Sequence, residues 1–270
     1  MIDSGTGLTI LGGAIGSVKV IEKILGPTAD YIGGQLKEWT EKKVKNTANI
    51  FKNAEKKLGD KINQEGKVPP KVLKEILEEG AWCEEELQVE YFGGVLASSR
   101  SGVSRDDRGA YFVSMISRLS TYQLRTHYLV YQSIKKSFDG QPINIGESKD
   151  RREMELFIPF SVYIQAMDFT KEEIQKFHNI MTHSIWGLNK EDLIDNFQYG
   201  PIEYIQERYK EAKGGGIILQ PTNLGVELFM WAYGQGRREN NDFFLTEIQF
   251  NNDQNIKING SIPTKKKNVP

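Results

Sequence analysis

The feature that most constrains the fold is a stripe of apolar residues at helical spacing near the beginning of the chain. Between residues 29 and 63, apolar positions recur at intervals of three, four and seven, with lysine and glutamate between them. This period indicates an amphipathic helix whose apolar face packs against a core. The stripe consists of Ile32, Leu36, Trp39, Val44, Ile50, Phe51, Ala54, Leu58 and Ile62. Further elements must therefore cover that face.

Helical patterns continue from this stripe as far as residue 138. They are predicted over residues 71–79, 84–99, 108–119 and 121–138. The first of them follows the dipeptide Pro69-Pro70, which suits the opening turn of a helix. We therefore predict a helical domain over residues 26–138, preceded by an apolar, glycine-rich segment over residues 1–25.

A polar stretch punctuated by glycine and proline, residues 139–152, is predicted to be a linker between domains. Beyond it, short β-branched runs alternate with helical patterns. Strands are predicted at 217–220, at 243–250 and at 156–166, where the run forms a sheet edge or turns into a helix. Helices are predicted to begin near Thr170, Asn189, Pro201 and Thr222.

The predicted fold class is therefore mainly α. A helical N-terminal domain is followed by a smaller mixed α+β domain over residues 153–250 and a polar tail over 251–270. A strand followed by the helix at Thr222 also fits a winged-helix-like unit. The helix after Thr222 is nearly all apolar and that at 201–212 is only modestly basic, so DNA recognition is not favoured.

The apolar run over residues 8–25 is the candidate for contact with a membrane or with another helix. Three charged residues, Lys19, Glu22 and Lys23, leave its uncharged part shorter than the roughly 20 residues that span a bilayer. Its Gly-x-x-x-Gly spacing allows close approach of two helices. The candidate contact residues are Leu8, Ile10, Leu11, Gly12, Ile15, Gly16, Val18 and Lys19. Alternatively, this segment packs on the body of the protein.

The formal net charge of −1 conceals one strongly basic stretch. The near balance of 35 basic and 36 acidic residues does not favour a globally basic nucleic-acid-binding protein. Residues 37–61 nevertheless carry eight basic and four acidic side chains. This face is either solvated or in contact with an anionic partner. The candidate contacts are Lys42, Lys43, Lys45 and Lys52.

Side chains with common catalytic chemistry are scarce. One cysteine and three histidines exclude a disulfide framework and a cysteine-rich zinc site. His178 and His183 lie five residues apart, which places them on different sides of a helix. Cys83 precedes three glutamates, which oppose thiolate formation. We therefore predict no metal, no cofactor and a function in binding or assembly, although 36 carboxylates leave room for an acidic active site.

Five segments of the chain resemble, in order and spacing, those of one bacterial family. They are Leu25–Gly33 (LGPTADYIG), Val68–Leu73 (VPPKVL), Glu85–Ser99, Phe112–Ser120 and Leu219–Phe229. This set is similar to the Abi-alpha family, predominantly helical proteins grouped with abortive-infection defence against phages. The resemblance extends over about residues 25–135 and more loosely over 215–232. Gly93-Gly94-Val95 departs from the family pattern, and the tail after Gly234 has no counterpart.

The resemblance implies a role in antiphage defence and carries over no catalytic residue. We expect an abortive-infection protein in the cytoplasm, with peripheral contact at the inner membrane as an option. The expected partners are further copies of this chain, or a phage or host protein that acts as a trigger. Two alternatives stay open: an enzyme toxin with an unrecognised acidic site, and a winged-helix-like DNA-binding regulator.

Overall fold

The computed structural model describes residues 5–26, 41–83, 85–103, 105–248 and 262–263. The fold is mainly helical with a small antiparallel sheet in the C-terminal half, which confirms the predicted fold class. The chain divides into two compact units. The first comprises the residues up to Arg118 together with Met230–Arg237, and the second comprises Leu119–Phe229 and the residues from Arg238 onward.

Helices build the described part of the first unit. They are α1 (Gly5–Ile15), α2 (Val18–Leu25), α3 (Glu41–Leu58), α4 (Pro70–Gly80), α5 (Glu86–Ser99) and α6 (Arg108–Arg118), with a 3-10 helix at Gly59–Asn63 after α3. Helix α5 is central, because α3, α4 and α6 all pack against it and its side chains are buried on every side. Helix α4 begins with Pro70 in its first turn, as the sequence predicted.

Two adjacent glycines let α5 approach its neighbours closely. A Cβ atom at Gly93 would press against the Asn53 side chain and the Ile50 carbonyl of α3. A Cβ atom at Gly94 would overlap the carbonyl of Ala232. The Gly93-Gly94 pair therefore has a packing reason in this chain.

Arg100, next to the end of α5, ties α2 to the 3-10 helix that follows α3. Arg100 is 7% exposed. The four hydrogen bonds that the structure shows for its guanidinium are all donated to backbone carbonyls. The acceptors are the carbonyls of Lys23 at 2.7 Å, Lys61 at 3.2 Å, Ile62 at 3.3 Å and Gln64. Carbonyls at helix C-termini carry partial negative charge, which compensates the burial of this cation.

The segment 230–237 belongs to the first unit through contacts with α5 and α6. The Trp231 ring stacks on Phe112 with 4.9 Å between ring centroids. The Ser98 hydroxyl donates to the Trp231 carbonyl at 3.0 Å and accepts from the Gly236 amide at 3.1 Å. A distant part of the sequence thus completes the core of the helical unit.

The second unit combines helices with the sheet. Its helices are α7 (Thr121–Phe138), α8 (Ser148–Arg151), α9 (Phe160–Met167), α10 (Lys171–Gln175), α11 (Phe177–Lys190), α12 (Ile202–Gln206) and α13 (Asn223–Ala232), whose last three residues count with the first unit. Its strands are β1 (Leu156–Pro159), β2 (Ile194–Gly200), β3 (Gly216–Pro221) and β4 (Ile262–Pro263). A capping box between Ser120 and Gln123 begins α7, and one between Thr170 and Glu173 begins α10.

The sheet has the strand order β2–β3–β1–β4, with every neighbouring pair antiparallel. Strand β3 is central and buried along its whole length. Strand β1 leads into α9 and α10–α11, and the chain then returns through β2 and β3. In this element order three helices separate β1 from β2, and β3 lies between these two strands in the sheet.

The predicted domain boundary is replaced by one that lies earlier in the chain. Residues 139–152 do not separate the compact units but lie within the second, and the division falls between Arg118 and Leu119. The reason lies in α7, whose buried polar groups bond to C-terminal elements. His127 donates to the Gly225 carbonyl at 3.1 Å, and the Tyr131 hydroxyl donates to the Leu193 carbonyl at 2.7 Å.

Several local predictions in the second half were wrong. No helix begins at Asn189; α11 continues to Lys190 and β2 follows. Helix α12 ends at Gln206, well short of residue 212. Residues 243–248 form a turn, a bend and irregular backbone instead of a strand, and 249–250 lie outside the described residues. Ile262–Pro263, in the predicted polar tail, pairs with β1. Short apolar runs of this kind do not distinguish strands from turns or helices by periodicity alone.

Candidate binding surfaces

The N-terminal apolar segment folds as a helical hairpin. Gly16, with a φ of +96°, and Ser17 separate α1 from α2. A Cβ atom at Gly12 would overlap the Val18 side chain. Gly12 therefore allows close packing between the two helices of this hairpin, and Gly16 provides the positive φ of the turn that joins them.

The candidate contact residues in this hairpin differ in exposure. Leu11 and Gly12 are buried, Ile15 and Val18 are half-buried, and Gly16 and Lys19 are exposed; the side chains of Leu8 and Ile10 lie outside the described residues. Three apolar side chains of α2 are also buried, namely Ile21, Ile24 and Leu25. Since both helices pack on α3, much of the described apolar surface of the hairpin faces the rest of the first unit.

Three of the four candidate lysines lie on the outward face of α3. Lys42, Lys45 and Lys52 are exposed, while Lys43 turns aside and places its Nζ 4.0 Å from the ring centroid of Trp82. The opposite face of α3 is buried in the first unit through Ile50, Phe51 and Ala54. The structure thus divides the predicted cationic set into an exposed stripe and one cation–π contact.

Helix α11 presents a stripe of exposed polar and aromatic residues. Asn179, His183, Trp186 and Lys190 follow one another at intervals of four, three and four, so they share one face of the helix. The sequence does not single out this stripe, because polar residues at helical spacing also occur in the helix predicted at 201–212. The signal is the spacing itself, and the structure shows that all four residues are exposed.

Trp186 belongs to a group of partly exposed aromatic rings, here called the aromatic surface: Trp186, Phe197, Tyr199 and Tyr204. The Trp186 side chain is 56% exposed and Tyr204 is 48% exposed. The Trp186 ring meets Phe197 edge-on at 4.9 Å, and its Nε1 donates to the Tyr199 hydroxyl at 3.2 Å. Phe197 and Tyr199 lie two residues apart on β2 with parallel rings. These contacts hold large rings in fixed positions beside solvent.

The second unit carries an excess of negative charge. Residues 119–229 and 238–248 contain 13 lysines and arginines against 18 aspartates and glutamates. A helix that binds the phosphate backbone of DNA requires a basic surrounding surface. The charge of this unit therefore opposes DNA binding at α11 and is compatible with a protein partner.

A polar cavity of about 250 Å³ lies beside the N-terminal end of α13. It is lined by Ser148, Arg151, Arg152, Asp192, Asp195, Gln220, Pro221, Thr222 and Asn223. Two of its polar side chains are engaged with backbone carbonyls. Arg151 donates to the carbonyls of Ile145 and Gly146 at 2.8 Å each, and Gln220 donates to the Arg152 carbonyl at 2.7 Å. Asp192 and Asp195 are the carboxylates that an acidic active site here would use.

The cysteine and one histidine are held in structural positions. Burial, together with the nearby Glu79, raises the pKa of the Cys83 thiol to about 12, which keeps it protonated at neutral pH. Burial lowers the pKa of His127 to about 3, although its bond to the Gly225 carbonyl opposes this shift. Both groups are therefore neutral at physiological pH.

The other two histidines have different neighbours. His178 packs against Phe160 and Phe177, whereas His183 hydrogen-bonds with the Ser120 hydroxyl at 3.2 Å. The described residues contain no group of three or more histidine, cysteine, aspartate or glutamate side chains arranged to hold a metal ion. Among the described helices, none has the length and apolar composition needed to cross a bilayer.

No family model, curated protein or solved structure matches this chain.

Proposed function

We propose that this protein acts in abortive-infection defence against phages through binding or assembly with a protein partner, and not through catalysis. The aromatic surface is the observation that carries the binding part of this proposal. Tryptophan and tyrosine are enriched at protein interfaces and dominate their binding energy, because they bury a large area at a small cost in conformational entropy. The resemblance to the Abi-alpha family supplies the biological role.

The partner we propose is a further copy of this chain or a phage or host protein that acts as the trigger. The cytoplasm is the proposed location, with peripheral contact at the inner membrane. An acidic unit that carries fixed aromatic rings suits a protein partner better than a nucleic acid.

Phage infection of cells that express the protein tests this proposal. We expect Trp186→Ala to reduce protection by at least about tenfold in plating efficiency, as truncation of an interface hot spot does to affinity. Tyr111→Ala is the matched control, since Tyr111 is 52% exposed on α6 of the first unit. Equal protection by wild type and Trp186→Ala at equal expression would exclude the aromatic surface from the function.

In the second unit three helices separate β1 from β2, and β3 lies between the two strands, an order that also occurs in winged helix-turn-helix proteins. It supports one second candidate, a DNA-binding regulator. Under it, α11 lies in the major groove with Asn179 and Lys190 toward base edges and phosphates. Affinity for duplex DNA that falls steeply with salt, and that Lys190→Gln weakens, would favour this candidate. Absent or salt-insensitive binding would exclude it.

A further inference from the structure

We propose that α3 docks on an anionic lipid surface through four exposed lysines, Lys42, Lys45, Lys52 and Lys56, here called the lysine stripe. This inference refines the membrane-contact part of the proposed function and rests on it. It assigns that contact to α3, whereas the sequence assigned it to the apolar segment over residues 8–25.

The geometry of α3 arranges the lysine stripe for a flat partner. The four residues are three, seven and four positions apart, so at 100° per residue they lie within about 80° of one another around the helix axis. At 1.5 Å per residue they extend over about 21 Å. Asn49, which is half-buried, lies within the same arc. One plane of negative charge can therefore contact all four lysines at once.

The rest of the first unit holds this face outward. The buried side of α3 packs on α5, where Gly93 allows the two helices to approach closely. Lys57, the neighbour of Lys56, turns into the unit and pairs with Glu90 at 2.5 Å. Its charge is thereby separated from the stripe, whose four members remain exposed.

An exposed tryptophan beside the beginning of α3 favours a lipid surface over a nucleic acid. Trp82 is 70% exposed and lies under the Lys43 ammonium. Asn46 of α3 fixes this loop, because its side-chain amide donates to the carbonyls of Ala81 and Cys83 at 3.1 and 2.6 Å. Tryptophan favours the boundary between lipid and water, where its ring is apolar and its N–H is solvated. Lysines on such a helix provide charge without a code for bases.

Vesicle binding by the full-length protein tests the inference. The vesicles contain phosphatidylcholine alone or with about one third phosphatidylglycerol, and bound protein is separated by flotation. Each lysine near an anionic membrane contributes about a fivefold increase in partitioning. We expect wild type to bind only the anionic vesicles, and replacement of the lysine stripe by glutamine to lower partitioning by at least about 100-fold.

The matched control removes four exposed lysines of the second unit, Lys149, Lys171, Lys210 and Lys213, in the same way. This control changes the net charge by the same amount as the loss of the lysine stripe. Because it leaves the lysine stripe intact, we expect partitioning to change by less than about tenfold. Thermal unfolding of both variants verifies that they are folded. Trp82→Ala should reduce partitioning and remove the blue shift of tryptophan fluorescence that anionic vesicles induce.

Three results would overturn the inference: no binding of wild type to anionic vesicles, equal losses in the two quadruple variants, or stripe-dependent binding to duplex DNA without vesicle binding. Vesicle binding is measured without phage, so the lipid-docking inference and the proposed defence function can be contradicted independently. Protection without vesicle binding contradicts only the lipid-docking inference. Vesicle binding without protection contradicts only the defence role.

Discussion

At the scale of single residues, burial makes His127 a source of pH-dependent stability. Its pKa falls from 6.5 to about 3 on folding, so the unfolded chain binds a proton between these values that the folded chain does not. Stability from this residue is therefore present above about pH 6.5 and is lost as the pH falls toward 3, by up to about 1.4 kcal/mol per pH unit.

We predict that the free energy of unfolding falls by roughly 2–3 kcal/mol more in wild type than in His127→Gln between pH 7 and pH 4.5. The glutamine amide can still donate to the Gly225 carbonyl but does not titrate in this range. Urea unfolding at the two pH values measures the difference. Parallel losses in the two proteins would show that His127 is not the titrating group.

The buried pair Lys57–Glu90 makes a second prediction at this scale. Burial lowers the pKa of Lys57, and the nearby Glu90 carboxylate opposes that shift. Glu90→Gln leaves a buried ammonium without its counter-charge and should lower stability by about 3–5 kcal/mol. The double variant Lys57→Met/Glu90→Leu should recover most of that loss in chemical denaturation. A double variant as unstable as the single would mean that the pair is irreplaceable.

At the scale of elements, Arg100 determines whether α2 stays attached to the end of α3. Arg100→Leu leaves the four carbonyl acceptors without their donor, and we expect a loss of about 2–4 kcal/mol. Hydrogen–deuterium exchange should accelerate first in α2 and in Gly59–Asn63, with α11 unchanged as the internal control. Uniform acceleration across both units would contradict a local role for Arg100.

The helices and strands also show which elements can be predicted from sequence periodicity. Helices α4 to α7 agree with prediction because apolar residues recur at helical spacing in them, and proline at the beginning of α4 and a capping box at the beginning of α7 add start signals. Strand β2 was not predicted, because its sequence IDNFQYG lacks regular alternation and contains a bulge at which Asn196 has a positive φ of 45°.

Of the two candidate surfaces, one could be predicted from the sequence and the other could not. The exposed lysines of α3 were predictable, since a charged stripe opposite an apolar one is visible in the sequence. The aromatic surface was not, because it joins Trp186 of α11 to Phe197 and Tyr199 of the unpredicted β2. The internal role of Gly12 also depends on a turn at Gly16 that periodicity does not reveal.

At the scale of the whole molecule, the balanced charge conceals a contrast between the two units. The described residues of the first unit contain 17 lysines and arginines and 13 aspartates and glutamates, whereas those of the second contain 13 and 18. The lysine stripe belongs to the basic unit and the aromatic surface to the acidic one. A protein of this kind can offer one surface to an anionic partner and another to a protein.

Two variants distinguish binding from catalysis when the survival of infected cultures that carry them is compared. We expect Trp186→Ala to reduce protection by at least about tenfold. The variant Asp192→Asn/Asp195→Asn, which removes both cavity carboxylates, should retain protection at equal expression. Protection that survives Trp186→Ala but disappears with the two carboxylates would contradict the account and indicate an acidic active site in the cavity.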